Sequence, residues 1–246
     1  MHRSSIRRSL AGASLILVSS SFAFASSMSD LSPEQQNDVR NGKKIEKFQN
    51  FSISAWPEGT FYQRVEATPE EAAAVFFDYA LHKDYFPDLR ASRIVKQINP
   101  STAHVAYHMH KDLWWPLSPV DEHYVVEDHL SSYDSGRSFH IEWKMVKESS
   151  DLNDLSDSVG DVRFEPMGTA TLMVYRTLVV PKRTGASLGK EGAKQSMRDA
   201  TSILEARIER LHKDQPALLK GEIENLHKAL EVEVKPAEAA EGSDSQ

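Results

Sequence analysis

The chain has 246 residues, 40% of them hydrophobic, enough for one globular core with short additions. It carries 29 basic against 36 acidic residues, a net charge of −7. That excludes nucleic acid as a partner, because displacing counterions from phosphates needs positive charge. There is no cysteine, which excludes disulfides, thiolate metal sites, cysteine nucleophiles and lipid anchors on cysteine.

Residues 1–25 read as an export signal. Arg3, Arg7 and Arg8 precede an apolar stretch at 10–18, and Ala23-Phe24-Ala25 offers small residues for cleavage after Ala25. The apolar stretch is too short to span about 30 Å of hydrocarbon. A soluble periplasmic or secreted protein is expected, and the lack of cysteine suits a bacterial periplasm, where disulfides are optional.

Residues 26–55 predict a helical leader. Ser32-Pro33-Glu34-Gln35 forms a capping box with proline at the first helical position, and Gly42 stops the helix. Residues 61–65 predict a first strand. Thr68-Pro69-Glu70-Glu71 repeats the cap, with Ala72, Val75, Phe76 and Tyr79 at helical spacing behind it, and a second short helix follows over 81–85.

From Ser92 the period changes to two. Val105, Tyr107 and Met109 alternate with His104, Ala106, His108 and His110, and Phe139, Ile141, Trp143 and Met145 alternate with His140, Glu142 and Lys144. This is the pattern of antiparallel strands with one dry face. Further strands are predicted at 124–128, 161–165 and 169–180, with turns at Asn99-Pro100, Asp134-Ser135-Gly136 and Pro166-Met167-Gly168, and an exposed loop over 148–157. Met197, Thr201, Leu204, Ile208 and Leu211 stripe a helix over 190–212. Asp214 caps a further helix with Leu219, Ile223, Leu226 and Leu230 on one face, and the acidic stretch 231–246 is expected to be disordered. The fold class is therefore α+β. A curved antiparallel sheet of six or seven strands wraps a long C-terminal helix, with two short helices after the first strand. The ligand-binding domain is expected at 56–213, with 214–246 outside it.

Four segments, in this order and spacing, resemble the START-like superfamily, also called SRPBCC, helix-grip or polyketide cyclase-like. They are Ala67-Thr68-Pro69-Glu70-Glu71 running into Phe77-Asp78-Tyr79; Tyr85-Phe86-Pro87-Asp88-Leu89; Trp115-Pro116-Leu117-Ser118-Pro119-Val120-Asp121; and Phe164-Glu165-Pro166-Met167-Gly168-Thr169-Ala170-Thr171, running into Tyr175 and Pro181. Members commonly carry arginine where this chain has Val120. The resemblance implies a deep apolar cavity between the sheet and the C-terminal helix. Members bind lipids, sterols, quinones, polyketides or plant hormones; a minority are cyclases or dehydratases, and others are iron-containing oxygenase domains.

Chemical motifs are sparse. His104, His108 and His110 share a strand face, but it is the wet one, so no metal site is expected. Ser118, Asp121 and His123 are the right types for a triad, yet strand neighbours point to opposite faces. Trp114 and Trp115 either pack at a strand crossing or form a lip at the cavity mouth. Arg176 shares a strand face with Leu172, Val174, Leu178 and Val180; it either snorkels from a strand end or meets an anionic ligand group or a buried carboxylate.

The expected cavity lining is Tyr107, Met109, Trp115, Tyr124, Phe139, Ile141, Trp143, Met145, Arg176, Met197 and Leu204. Residues 113–119 and the glycine-rich 185–192 are expected to form its mouth. The expected function is binding of a hydrophobic or amphipathic small molecule, such as a lipid, quinone or polyketide-like compound. No cofactor is expected, the chain is expected to be a monomer, and contact with the membrane or an envelope protein would be transient. One alternative is a cyclase or dehydratase in the same cavity, for which Asp128, Arg176, Tyr124 and Tyr175 are the plausible insiders. Another is an interaction module that docks through the helix spanning 219–230.

Overall fold

The computed structural model describes residues 28–86, 88–111, 120–147, 155–182 and 189–231. The export segment, the acidic tail, Trp114, Trp115 and Gly185 lie outside the described residues.

Among the described residues eight strands form one antiparallel sheet. They are β1 (Ile45–Gln49), β2 (Glu58–Val65), β3 (Leu89–Asn99), β4 (Thr102–Lys111), β5 (Val120–Tyr133), β6 (Ser138–Met145), β7 (Leu155–Met167) and β8 (Ala170–Pro181). Their order is β1-β2-β8-β7-β6-β5-β4-β3, so the first two strands pair with the last. Turn chemistry sets the hairpins. Gly168, at φ +69, starts the two-residue turn between β7 and β8, the positive φ that a II′ turn asks of its first central residue. Asp134, Ser135 and Gly136 all take positive φ between β5 and β6.

Among the described residues four α-helices accompany the sheet: α1 (Pro33–Arg40), α2 (Pro69–Phe77), α3 (Lys190–Asp214) and α4 (Pro216–Glu231). Ser32 and Thr68 each cap their helix with a full capping box and proline at the first turn. A 3-10 helix, Tyr79–Asp84, follows α2. Ala72, Ala73 and Ala74 are buried on α2, so small side chains let this helix sit close against the sheet. The main core joins α2, the inner faces of β4 to β8, the second half of α3 through Leu204, Ile208 and Leu211, and α4 through Leu219, Leu226 and Ala229.

Three expectations need correction. The sheet has eight strands, not six or seven, because the leader is not purely helical: its polar stretch contributes β1, which pairs with β2 in register Ile45 with Tyr62. The two short helices consequently follow the second strand. The helix over 219–230 presents no free apolar face for docking. Leu219 and Leu226 are buried in the chain's own core, and Ile223 and Leu230 pack against it. The stripe that looked like a docking surface is the closing layer of the fold.

A second, smaller cluster lies on the convex side of the sheet. Leu31 and Val39 from the leader cover Tyr62, Leu172 and Val174. Strand β8 is therefore apolar on both faces, with Met173 in the main core and Leu172 and Val174 beneath α1.

Candidate ligand cavity

Between the concave side of the sheet, the 3-10 helix and the first half of α3 lies a cavity of about 390 Å³. Its wall is mostly apolar and aromatic: Phe76, Phe86, Leu89, Met109, Val126, Trp143, Leu155, Val179 and Met197, with Tyr107, Tyr124 and Tyr175. Gly189, Gly192, Ala193 and Ala200 supply the α3 side, so small residues there leave the space open, and Trp56 faces Gly189. No lysine or arginine lines it among the described residues.

Backbone alternation decides which side chains reach this space. On β5, Tyr124, Val126 and Asp128 point inward together; on β8, Tyr175, Thr177 and Val179 do. Trp143 lies against Gly160 of β7, where an added Cβ would collide with the indole ring and with the Arg176 carbonyl. Its ring centroid stands 5.4 Å from that of Tyr175 and 6.1 Å from that of Phe76.

The polar groups at the wall are few, and their states follow from their partners. His82 is 2% exposed, and its Nε2 lies 2.7 Å from the Phe76 carbonyl oxygen. A carbonyl only accepts, so Nε2 carries the proton and Nδ1 accepts from the Tyr107 hydroxyl at 2.9 Å. Burial lowers the His82 pKa to about 4, which keeps the ring neutral. Asp128 is 2% exposed, and burial pushes its carboxyl well above the usual carboxylate range. No described group hydrogen-bonds the Asp128 carboxyl, and its Oδ2 is enclosed without a partner. Burial, followed by the neighbouring Asp128 and tyrosines, raises the phenol pKa of Tyr107, and burial with nearby Tyr124 and Asp128 does the same for Tyr175. Burial thus biases the Asp128 carboxyl toward its neutral acid form and the tyrosines toward neutral phenols, while Asp88 adds a second carboxyl to the lining.

The chain overlays a STAR-related lipid transfer protein from Xanthomonas axonopodis (fragment 25–204) with a TM-score of 0.57 and 15% identity, over 67% of this chain and 93% of that one. Human StAR-related lipid transfer protein 5 overlays with a TM-score of 0.59 and 14% identity, over 70% of this chain and 85% of that one. The fold is START-like. No protein-family model and no curated protein matches the sequence.

Within this START-like frame the expected lining residues divide. Tyr107, Met109, Tyr124, Trp143 and Met197 stand at the cavity wall. Phe139, Ile141 and Leu204 do not; they are buried in the main core, because α2 and the second half of α3 fill the concave side at that end. Met145 is buried outside the wall as well. Trp115 lies outside the described residues.

Arg176 is not a cavity residue. It sits on the convex face, where its Nε meets Asp161 Oδ1 at 2.7 Å and its Nη2 contacts the same oxygen. The apolar composition of its strand face reflects cover by the leader, not by the cavity. A buried carboxylate is indeed its partner, but on the other side of the sheet.

His82 and Trp56 carried no signal in the sequence, since neither belongs to a periodic element. Asp128 did carry one: it stands in phase with Tyr124 and Val126, a charge at an inward position of an alternating strand.

The histidine face of β4 is half-buried and paired. His104 Nε2 lies 3.2 Å from Glu127, His108 Nε2 lies 2.5 Å from Asp121, and the His108 and His123 rings stack at 4.0 Å. No group of three or more such side chains among the described residues is arranged to hold a metal ion. No described helix is long and apolar enough to cross a membrane.

Proposed function

We propose that this chain binds a hydrophobic or amphipathic small molecule in the cavity beneath α3, after export through residues 1–25 to the periplasm or the exterior. One observation carries the reading: a cavity of about 390 Å³ walled by Phe76, Met109, Trp143, Tyr175 and Met197. Large side chains that could have closed the space leave it open instead, and this volume falls within the roughly 300–1,000 Å³ of small-molecule sites. Phe76 makes the floor, with its ring against those of Trp143, Tyr175 and Phe86. Met197 and Met109 add soft, adaptable surface. The START-like fold of lipid transfer proteins supports the same class of ligand. The Met197–Ala200 part of α3 closes the cavity on one side, and Gly189 and Gly192 at its start, which leave space beside the lining, support an entrance for the ligand there.

Native mass spectrometry of the protein purified from its own host tests this directly. A bound small molecule, and a mature chain beginning at Ser26, are expected. A protein that carries none, and that shows no saturable binding to lipid or quinone mixtures, overturns the binding reading. A retained N-terminal segment overturns cleavage.

A further inference from the structure

Among the described residues, the cavity wall includes a buried carboxyl that apolar packing does not account for. Asp128 is 2% exposed, lines the cavity, and its carboxyl receives no hydrogen bond from any described residue, with Oδ2 enclosed and unpartnered. Buried polar atoms are nearly always satisfied, and an unsatisfied one costs stability. Such a group held in the wall of a cavity is accounted for by a partner that arrives with the ligand.

The neighbours narrow what that partner is. The Tyr107 proton is committed to His82 Nδ1, and the His82 proton to the Phe76 carbonyl. The hydroxyls of Tyr124 and Tyr175 have no described partner, and both residues line the cavity. The Trp143 ring lies 5.4 Å from that of Tyr175, and Asp128 pairs across the β5–β6 ladder with Trp143. The wall therefore offers O–H donors beside an aromatic surface. An anionic head group is disfavoured, because no lysine or arginine lines the cavity among the described residues. An amine is disfavoured too. It would require Asp128 to ionise in a buried site where no described residue already hydrogen-bonds its carboxyl, at a desolvation cost that a neutral ligand avoids.

We propose that Asp128 is the polar anchor of the cavity, donating a hydrogen bond to the carbonyl oxygen of a neutral apolar ligand such as a quinone or ketone, with the Tyr124 and Tyr175 hydroxyls as flanking donors. The elevated carboxyl pKa of Asp128 agrees with this, because a neutral acid donates where a carboxylate only accepts. The inference rests on the binding reading above and adds the chemistry of the ligand to it.

The test is calorimetric titration of the mature protein with three probes of matched shape: an alkyl naphthoquinone, the corresponding alkylnaphthalene, and the corresponding naphthylalkyl amine. The wild-type protein is expected to bind the quinone about tenfold more tightly than the hydrocarbon, the effect of one well-made buried hydrogen bond. Asp128→Leu is expected to abolish that preference while still binding the hydrocarbon. Asp128→Asn, which keeps an N–H donor, is expected to retain most of it. If the leucine variant does not fold, the asparagine variant together with Tyr124→Phe, expected to weaken quinone binding about threefold, carries the test.

Equal binding of quinone and hydrocarbon by the wild type overturns the anchor and leaves the binding reading standing. Tightest binding of the amine, lost in Asp128→Asn, also overturns it, by making the carboxylate a counter-ion. Binding of none of the probes, with no molecule retained from the host, removes the binding reading and the anchor with it.

Discussion

Two aspartates, each 2% exposed, sit on opposite faces of the same sheet. Asp161, on the convex side, is held by Arg176 through Nε at 2.7 Å, with Arg163 Nε and His140 Nε2 each 3.4 Å from its other oxygen. Asp128, on the concave side, has no described partner. Burial is the same and chemistry is opposite. A buried carboxyl with cations around it is a structural ion pair; burial without them pushes the group toward its protonated form, which can donate. The sheet uses one residue type to hold the leader side together and to give the cavity its polar point.

The sharpest way to break this comparison is to remove the paired aspartate. Asp161→Ala removes the buried carboxylate that Arg176 and Arg163 face, and a loss of about 3–5 kcal/mol is expected in urea unfolding at pH 7. Asp161→Leu with Arg176→Met is expected to recover most of that, because an apolar pair needs no solvation. A single-variant cost below about 1 kcal/mol, the level of an exposed pair, would show that the convex pair holds nothing.

Acid titration reads the cavity side. His82 is neutral in the fold, with a pKa of about 4 against 6.5 for the ordinary side chain. The unfolded chain binds the extra proton first as pH falls. The His82 contribution is therefore complete above pH 6.5 and is lost between 6.5 and 4, by about 3 kcal/mol. Subtracting the pH–stability curve of His82→Gln from that of the wild type isolates this loss. Identical curves would mean that the ring takes up its proton as readily in the fold as in the unfolded chain.

Asp128 has the opposite sign. Its folded pKa is raised, so its contribution is complete below the unfolded value of 3.8 and is lost as pH rises through the folded pKa. Asp128→Leu is expected to stabilise the protein at pH 7 by about 1–3 kcal/mol, by removing an unsatisfied buried polar group. Asp128→Asn is expected to match the wild type near pH 3 and to gain on it as pH rises. A destabilised leucine variant of normal fold would mean that Asp128 is satisfied in the free protein.

The two faces meet at Gly160, packed between the Trp143 ring and the Arg176 carbonyl. Gly160→Ala is expected to cost about 1–3 kcal/mol by overpacking, and to shift Trp143 fluorescence as the ring moves into the cavity. An unchanged melting temperature and emission would show that the ring has room to move.

Local chemistry made much of this readable in advance. The capping boxes at Ser32 and Thr68, the α3 stripe from Met197 to Leu211, and the alternation over Phe139, Trp143 and Met145 each depend on a few consecutive residues, so the chain announces them. Strand β1 escaped because it is short and polar, with Ile45 and Phe48 as its only apolar side chains, and is held by pairing with β2. Arg176 was misplaced for a related reason. Alternation states which residues share a face, but not what covers that face, and on β8 both faces are covered.

By itself, then, the sequence determined the α+β class, the helix starts, most of the strands and the sets of residues that share a face, because periodicity and capping are properties of neighbours along the chain. Only the tertiary structure decided which apolar positions fill the core and which line the cavity, that the 219–230 stripe is internal, and which of two equally buried aspartates finds a cation. Those outcomes depend on residues far apart in sequence: Asp161 lies fifteen positions from Arg176, Gln63 reaches the Thr201 carbonyl across 138 positions, and Phe76 joins a ring cluster with Trp143 and Tyr175. Packing brings such partners together, and the energy of a buried charge is set by the partner it meets there.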